Sequence, residues 1–150
     1  MSYNCKEDFL GRTIKIVEEY QQDKKDTLLI NCMLGLLVFI KETHPDKILS
    51  ANYISWGIEE KDISTCLGEK EKQFVESKDI KDVIRHLRNS VSHCHFEMIN
   101  DGKNEITHIE FWDYPYGDEN EPENFHAKIP VNDLKPFLLN FANSILTIIK

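Results

Sequence analysis

The sequence lacks the features that usually mark secreted, zinc-binding or repetitive proteins. Its four cysteines are irregularly spaced and form no Cys-x-x-Cys pair, so they are interpreted as reduced thiols rather than disulfide partners or zinc ligands. The start of the chain shows no signal peptide. No internal repeat and no low-complexity segment is present. These absences favour a single domain over residues 1–150, located in the cytoplasm.

Long hydrophobic runs are also missing. The most apolar stretch, from Thr27 to Ile40, is too short for a membrane span of about 20 residues, and Asn31 interrupts it. Because this stretch is apolar nearly all round, it predicts a core helix that contacts several neighbours. We therefore expect no membrane partner.

Positive charge is scarce. The formal net charge is -8, which argues against sequence-independent coating of nucleic acid. Lys78, Lys81, Arg85 and Arg88 nevertheless fall within one predicted helix. A small positive spot on an acidic body fits a nuclease that binds a few phosphates.

That helix, predicted over about residues 78–93, is the most informative stretch of the chain. Apolar residues recur at helical spacing at Ile80, Ile84, Leu87 and Val91. Asn89 lies nearly opposite this stripe, His93 follows one turn later, and Arg88 projects from the flank. An arginine, an amide and an imidazole on one face can hold a phosphate and transfer a proton.

The motif also carries a family resemblance. Arg88-Asn89, three residues and then His93 resemble the R-(polar)-x3-H signature of the HEPN superfamily. The segment from Thr27 to Leu37 resembles the second helix of a plasmid-borne HEPN branch, to which Leu87-Arg88-Asn89 and Phe111-Trp112-Asp113 are also similar. Most superfamily members with an assigned activity are metal-independent endoribonucleases, many of them toxins or anti-phage factors.

The reaction assigned to the motif is RNA cleavage by the 2′-hydroxyl next to the scissile phosphate. It needs a proton acceptor, a proton donor and positive charge on the transition state. We assign proton transfer to His93, phosphate and transition-state stabilisation to Arg88, and orientation to Asn89. The expected products are a 2′,3′-cyclic phosphate and a 5′-hydroxyl, with no metal and no cofactor.

Three further residues are candidates for substrate binding: Arg85, Ser92 and His95. For Arg85 a salt bridge with Asp82 is an equal alternative, and His95 could instead face solvent. His86, on the far side of the helix, is interpreted as solvated. Arg88 could also form only a surface ion pair, and His93 could only cap the helix.

The histidines around the end of the motif helix could also form a metal site. His93-Cys94-His95, with His86 or His108, could bind a metal, but no second ligand pair at matched spacing is present.

The residue after the motif histidine departs from the family pattern. Glycine often stands there, whereas this chain has Cys94. A cysteine accepts a left-handed turn less readily, so the residue at which the helix ends is left open.

The acidic segment from Asp113 to Asn124 contains two tyrosines, Tyr114 and Tyr116. They could stack on RNA bases, but the surrounding carboxylates would repel phosphate. We interpret this segment as a solvated connector or as a surface for a partner such as a cognate antitoxin.

The rest of the sequence predicts a mainly α protein. Helical periodicity marks segments over about 8–22, from Thr27 onward, and from Pro130 to the end. Alternation near residues 96–98, 109–111 and 125–129 predicts a hairpin or three-stranded meander. Residues 46–77 predict no more than a short packed helix or turn. The expected fold is a HEPN-like bundle of four to five helices with a small β-hairpin or meander inserted before the C-terminal helix.

The sequence thus predicts a homodimeric, metal-independent endoribonuclease acting on RNA, with a role as toxin or abortive-infection effector. The resemblance implies that the motif helices of two subunits meet at a two-fold interface. The alternative is a non-catalytic HEPN-like module that binds nucleotide or a partner protein. In a third case the protein only dimerises, and Arg88 and His93 can be changed without consequence.

Overall fold

The computed structural model describes residues 5–19, 26–43, 50–102 and 105–149. Within these ranges there are four α-helices: α1 (Cys5–Glu18), α2 (Asp26–Thr43), α3 (Ile80–Ser92) and α4 (Val131–Ile149). The strands are β1 (Ile63–Lys70), β2 (Gln73–Glu76), β3 (Phe96–Asn100), β4 (Ile106–Asp113) and β5 (Phe125–Pro130). Among the helices described, no segment combines the length and the hydrophobicity that a transmembrane helix requires.

The five strands form one antiparallel sheet in the order β2-β1-β5-β4-β3. One face of the sheet is buried, because alternate side chains of the central strand β5 and its neighbour β4 are fully enclosed. These are Ile109, Phe111, Phe125, Ala127 and Ile129. The intervening side chains, such as Glu110 and Lys128, are half-buried or exposed, as alternation across a half-buried sheet requires.

The prediction of a mainly α bundle with only a small hairpin or meander is wrong. The structure adds the hairpin of β1 and β2 to the predicted strands, and β1 joins the sheet by pairing Cys66 with Phe125 and Ile63 with Ala127. Sequence periodicity missed this hairpin because β1 contains few apolar residues and all of β2 is exposed. Pairing with a distant strand, rather than local pattern, determines β1.

The helices complete a shared core with the sheet. α1 and α2 both pack against α4, α2 also contacts α3, and α4 reaches β4 and β5. Phe137, Phe141 and Ile145 of α4 are fully buried. α3 packs against β4 and β1, which places its C-terminal end beside the segment that follows β4.

A pair of carboxyl groups lies where α4 begins. Asp62 is buried and accepts a hydrogen bond from the backbone N–H of Glu59 (3.1 Å). Asp133, in the first turn of α4, hydrogen-bonds to Asp62. Burial, that hydrogen bond and the neighbouring charge of Asp62 together raise the pKa of Asp133 to about 6.

Candidate functional site

Helix α3 is fixed at both ends by local hydrogen bonds. Its N-cap Asp79 accepts from the backbone N–H of Lys81 (3.0 Å). At the other end, Cys94 donates to the Val91 carbonyl (3.2 Å) and His95 to the Ser90 carbonyl (2.7 Å). Together these two bonds form a Schellman motif, and Cys94 takes the left-handed conformation (φ 58°) that usually favours glycine. The cysteine therefore stands where the backbone needs positive φ.

A buried ionisable pair, His86 of α3 and Asp113 at the end of β4, lies between the helix and the sheet. His86 Nδ1 is 2.8 Å from Asp113 Oδ2, Nε2 is 2.7 Å from the Leu67 carbonyl, and the ring stacks on Phe125. The interpretation of His86 as solvated is wrong, since its side chain is fully enclosed. A carboxylate and a carbonyl both accept, so the two bonds form together only when both ring nitrogens carry protons.

The same carboxylate holds Asn89 in place. Asn89 Nδ2 donates to Asp113 Oδ2 (3.2 Å), and the backbone N–H of Tyr114 donates to Oδ1 (2.9 Å). Burial alone would raise the pKa of Asp113, but hydrogen bonds from His86, Asn89 and Tyr114 outweigh it and lower the pKa below its ordinary value. Asp113 is thus held as an anion that orients the amide.

Asn89 lines a cleft with a volume of about 220 Å³. One wall is a row on α3 formed by Arg85, Asn89 and His93, each one turn after the previous residue. The remaining wall comes from the hairpin and from the segment after β4: Glu69, Phe74, Asp113, Tyr114, Pro115, Tyr116, Gly117 and Asn124. The cleft therefore combines a basic helix face with an aromatic and acidic opposite side.

The predicted site residues are only partly brought together. Arg85, Asn89 and His93 line the cleft, whereas Arg88 is half-buried and Ser92 is exposed outside it. Arg85 also forms a 3.0 Å salt bridge with Asp82. His95 lies beside the cleft, where its ring stacks on His93 (centroids 5.8 Å apart) and its Nε2 meets Glu119 Oε1 at 2.9 Å.

Several residues that line the cleft, or that hydrogen-bond to its lining residues, are not predicted by the sequence. The sequence predicts His86 only as a solvated residue or an alternative metal ligand, and it predicts no site role for Asp113, although an acidic residue at the end of an apolar strand is a detectable signal. Phe74 and Asn124 carry no local signal, because the sheet brings them to the site from distant positions. Among the described residues, the groups close enough to share a metal ion are Glu59, Asp62 and Asp133 rather than the histidines of the motif.

Helix α3, which carries Arg88 and Asn89 and is capped by His93, lines one side of a polar cleft. The model of the family described as HEPN pEK499 p136 matches residues 1–150, and the chain belongs to this HEPN family. The resemblance to the plasmid-borne branch is thereby confirmed. No curated protein and no solved structure matches the chain. Membership suggests a nuclease-like or toxin-like module, because HEPN domains are often ribonucleases.

Proposed function

We propose that the chain is a metal-independent endoribonuclease that acts as a homodimer with α3 at the subunit interface. The observation that carries the proposal is the row of Arg85, Asn89 and His93 along one cleft, on the helix that also presents Arg88. Guanidinium, amide and imidazole groups are those that RNA cleavage by the 2′-hydroxyl needs.

In this proposal His93 transfers a proton to or from the reacting oxygens. Its exposed ring at the end of α3 is accessible from the cleft, and an imidazole nitrogen can donate or accept a proton. Arg88 stabilises the phosphate and the transition state, and Arg85 supplies a second phosphate contact. Asn89, held by Asp113, orients the phosphate.

Arg88 lies outside the cleft of its own chain, which supports a composite site. If two α3 helices meet across a two-fold axis, Arg88 of one subunit can reach the cleft of the other. The proposed biological role is that of a cytoplasmic toxin or anti-phage effector, controlled by a cognate antitoxin.

The test uses purified protein, total cellular RNA and excess chelator. Wild type is compared with His93→Ala, Arg88→Ala and a matched imidazole control, His108→Gln, whose residue lies on β4 outside the cleft. We expect wild type and the control to cut RNA and leave 2′,3′-cyclic phosphate ends, and both motif variants to fail while remaining folded. RNA binding without any cleavage would favour the non-catalytic nucleotide-binding module instead.

A further inference from the structure

The wall of the cleft opposite α3 presents two exposed aromatic rings. Phe74 on β2 is 43% exposed and Tyr116 is 86% exposed, and their ring centroids lie 6.1 Å apart in an edge-on arrangement. Neither ring belongs to the buried core. Tyr116 also holds a left-handed backbone conformation (φ 54°). Exposed aromatic pairs at a cleft are surfaces on which planar ligands stack.

The same wall offers hydrogen-bond acceptors. Asn124 is 4% exposed, and no described residue hydrogen-bonds its Oδ1. Its backbone is fixed by bonds to Asp113 and Leu67, so the side chain is held at the cleft. Glu69 is the cross-strand partner of Phe74 and lines the cleft beside it. An enclosed acceptor without a protein partner can be satisfied by a water molecule or by an N–H group of a ligand that enters the cleft.

The two walls therefore suit the two ends of one nucleotide. Arg85 and His93 on α3 match a phosphate, whereas Phe74, Tyr116, Glu69 and Asn124 match a base with donors on its edge. The volume of about 220 Å³ is below the roughly 300–1,000 Å³ typical of small-molecule pockets. One base with its neighbouring phosphate suits this space better than a larger ligand.

We infer that the cleft binds a guanine base of a single-stranded RNA, packed against the aromatic pair of Phe74 and Tyr116 with its N–H edge toward Glu69 and Asn124; RNA as ligand rests on the proposed function. Guanine presents N1–H and N2–H₂ side by side, and a carboxylate accepts both. Uracil offers one N–H between two oxygens. Adenine and cytosine place a ring nitrogen that accepts next to the amino group, where it would meet the carboxylate.

The experiment measures binding separately from cleavage. Short RNA oligonucleotides with 2′-fluoro groups throughout cannot be cut by 2′-hydroxyl attack, and a set differing only in the central base is titrated by fluorescence anisotropy. Phe74→Ala is matched by Val75→Ala, since Val75 is 41% exposed on the same strand but does not line the cleft. Glu69→Gln is matched by Glu71→Gln in the adjoining turn. Guanosine monophosphate is the free-nucleotide competitor.

We expect the guanine oligonucleotide to bind about tenfold more tightly than the other three. Phe74→Ala should weaken binding of every oligonucleotide about tenfold, and Glu69→Gln should remove most of the guanine preference. Val75→Ala and Glu71→Gln should bind as wild type does. Equal binding of all bases, or equal effects of Phe74→Ala and Val75→Ala, would overturn the inference.

The two proposals can fail independently. If the protein prefers guanine in binding but does not cleave natural RNA, the ribonuclease proposal is refuted and the proposed base site is supported. Cleavage without base preference, unchanged in Glu69→Gln, leaves the ribonuclease proposal and removes the base site. Direct binding of guanosine monophosphate, measured by titration calorimetry, with no binding of any oligonucleotide assigns the cleft to free nucleotide and overturns the RNA assignment.

Discussion

His86 and Asp113 meet through a 2.8 Å hydrogen bond between two buried side chains, and this contact ties α3 to the end of β4. Because Asp113 also accepts from Asn89, the contact that holds the helix to the sheet also orients an amide in the cleft. Stability and site geometry therefore depend on the same carboxylate.

Replacing Asp113 by asparagine should destabilise the fold near neutral pH. The variant removes the buried carboxylate that His86 and Asn89 share, and losing a hydrogen-bond partner of buried polar groups costs about 1–3 kcal/mol. The pKa of Asp113 is lowered by folding, so its stabilisation is present above the unfolded value near 4 and disappears as pH falls through the folded value. Urea unfolding at neutral and acidic pH should show the difference from wild type shrinking in acid.

The control for this prediction is Glu119→Gln, which removes an exposed carboxylate that meets His95. An exposed pair of this kind contributes up to about 1 kcal/mol. If Asp113→Asn lost no more stability than Glu119→Gln, the buried pair would have no special role.

Replacing Cys94 by glycine should stabilise the protein. Cys94 holds φ at 58°, a conformation that disfavours side chains with a Cβ, and glycine there should add about 0.5–1 kcal/mol to the free energy of unfolding. Ser92→Gly, two residues earlier within α3, should have the opposite sign by about the same amount. Thermal unfolding of both variants gives the answer, and a loss of stability in Cys94→Gly would refute the assignment of the helix end.

Replacing Asp133 by asparagine should raise the melting temperature above neutral pH. Folding raises the pKa of Asp133 to about 6, so the folded state retains a proton that the unfolded state releases near pH 4. Stability is consequently lost as pH rises between these two values, and asparagine avoids this loss. The gain should vanish at about pH 4. Asp118→Asn, in the acidic segment, is the carboxylate-to-amide control measured alongside it.

Mixing the Arg88→Ala and His93→Ala variants should reveal whether the proposed ribonuclease site is shared between subunits. If Arg88 of one subunit serves His93 of the other, a heterodimer of Arg88→Ala and His93→Ala contains one intact site and regains up to half of the activity of the same number of wild-type dimers. If both residues act within one chain, every subunit of the mixture lacks either Arg88 or His93, and no activity returns. The measurement is RNA cleavage after co-refolding, with each variant alone as control. No recovery in confirmed heterodimers would contradict the composite site.

The sequence predicted α3 well because its information is local. The stripe from Ile80 to Val91 marks the buried face, and Asp79 marks the start. The row of Arg85, Asn89 and His93 follows directly from helical spacing. The sequence predicts that the side of α3 opposite this stripe faces outward, and this is only partly right. The sheet covers His86 and half-buries Asn89.

The β1–β2 hairpin and its contributions to the cleft could not be predicted in the same way. Phe74 sits in an exposed strand without apolar alternation, and its position depends on the pairing of β1 with β5. Asn124 reaches the cleft because β5 begins directly after it and because its backbone bonds to Leu67. The positions of both residues depend on pairing between distant strands, and a short segment of sequence does not reveal that pairing.

Strand β2 has consequences beyond its size. It has four residues, all exposed, lies at the sheet edge and pairs with β1. A strand with few buried contacts opens locally at a small fraction of the global unfolding free energy. The side of the cleft that bears Phe74 is thus compliant, whereas the α3 side is anchored in the core. In the proposed site, replacing Phe74 would change the base-binding side of the cleft while Arg85, Asn89 and His93 keep their places along α3.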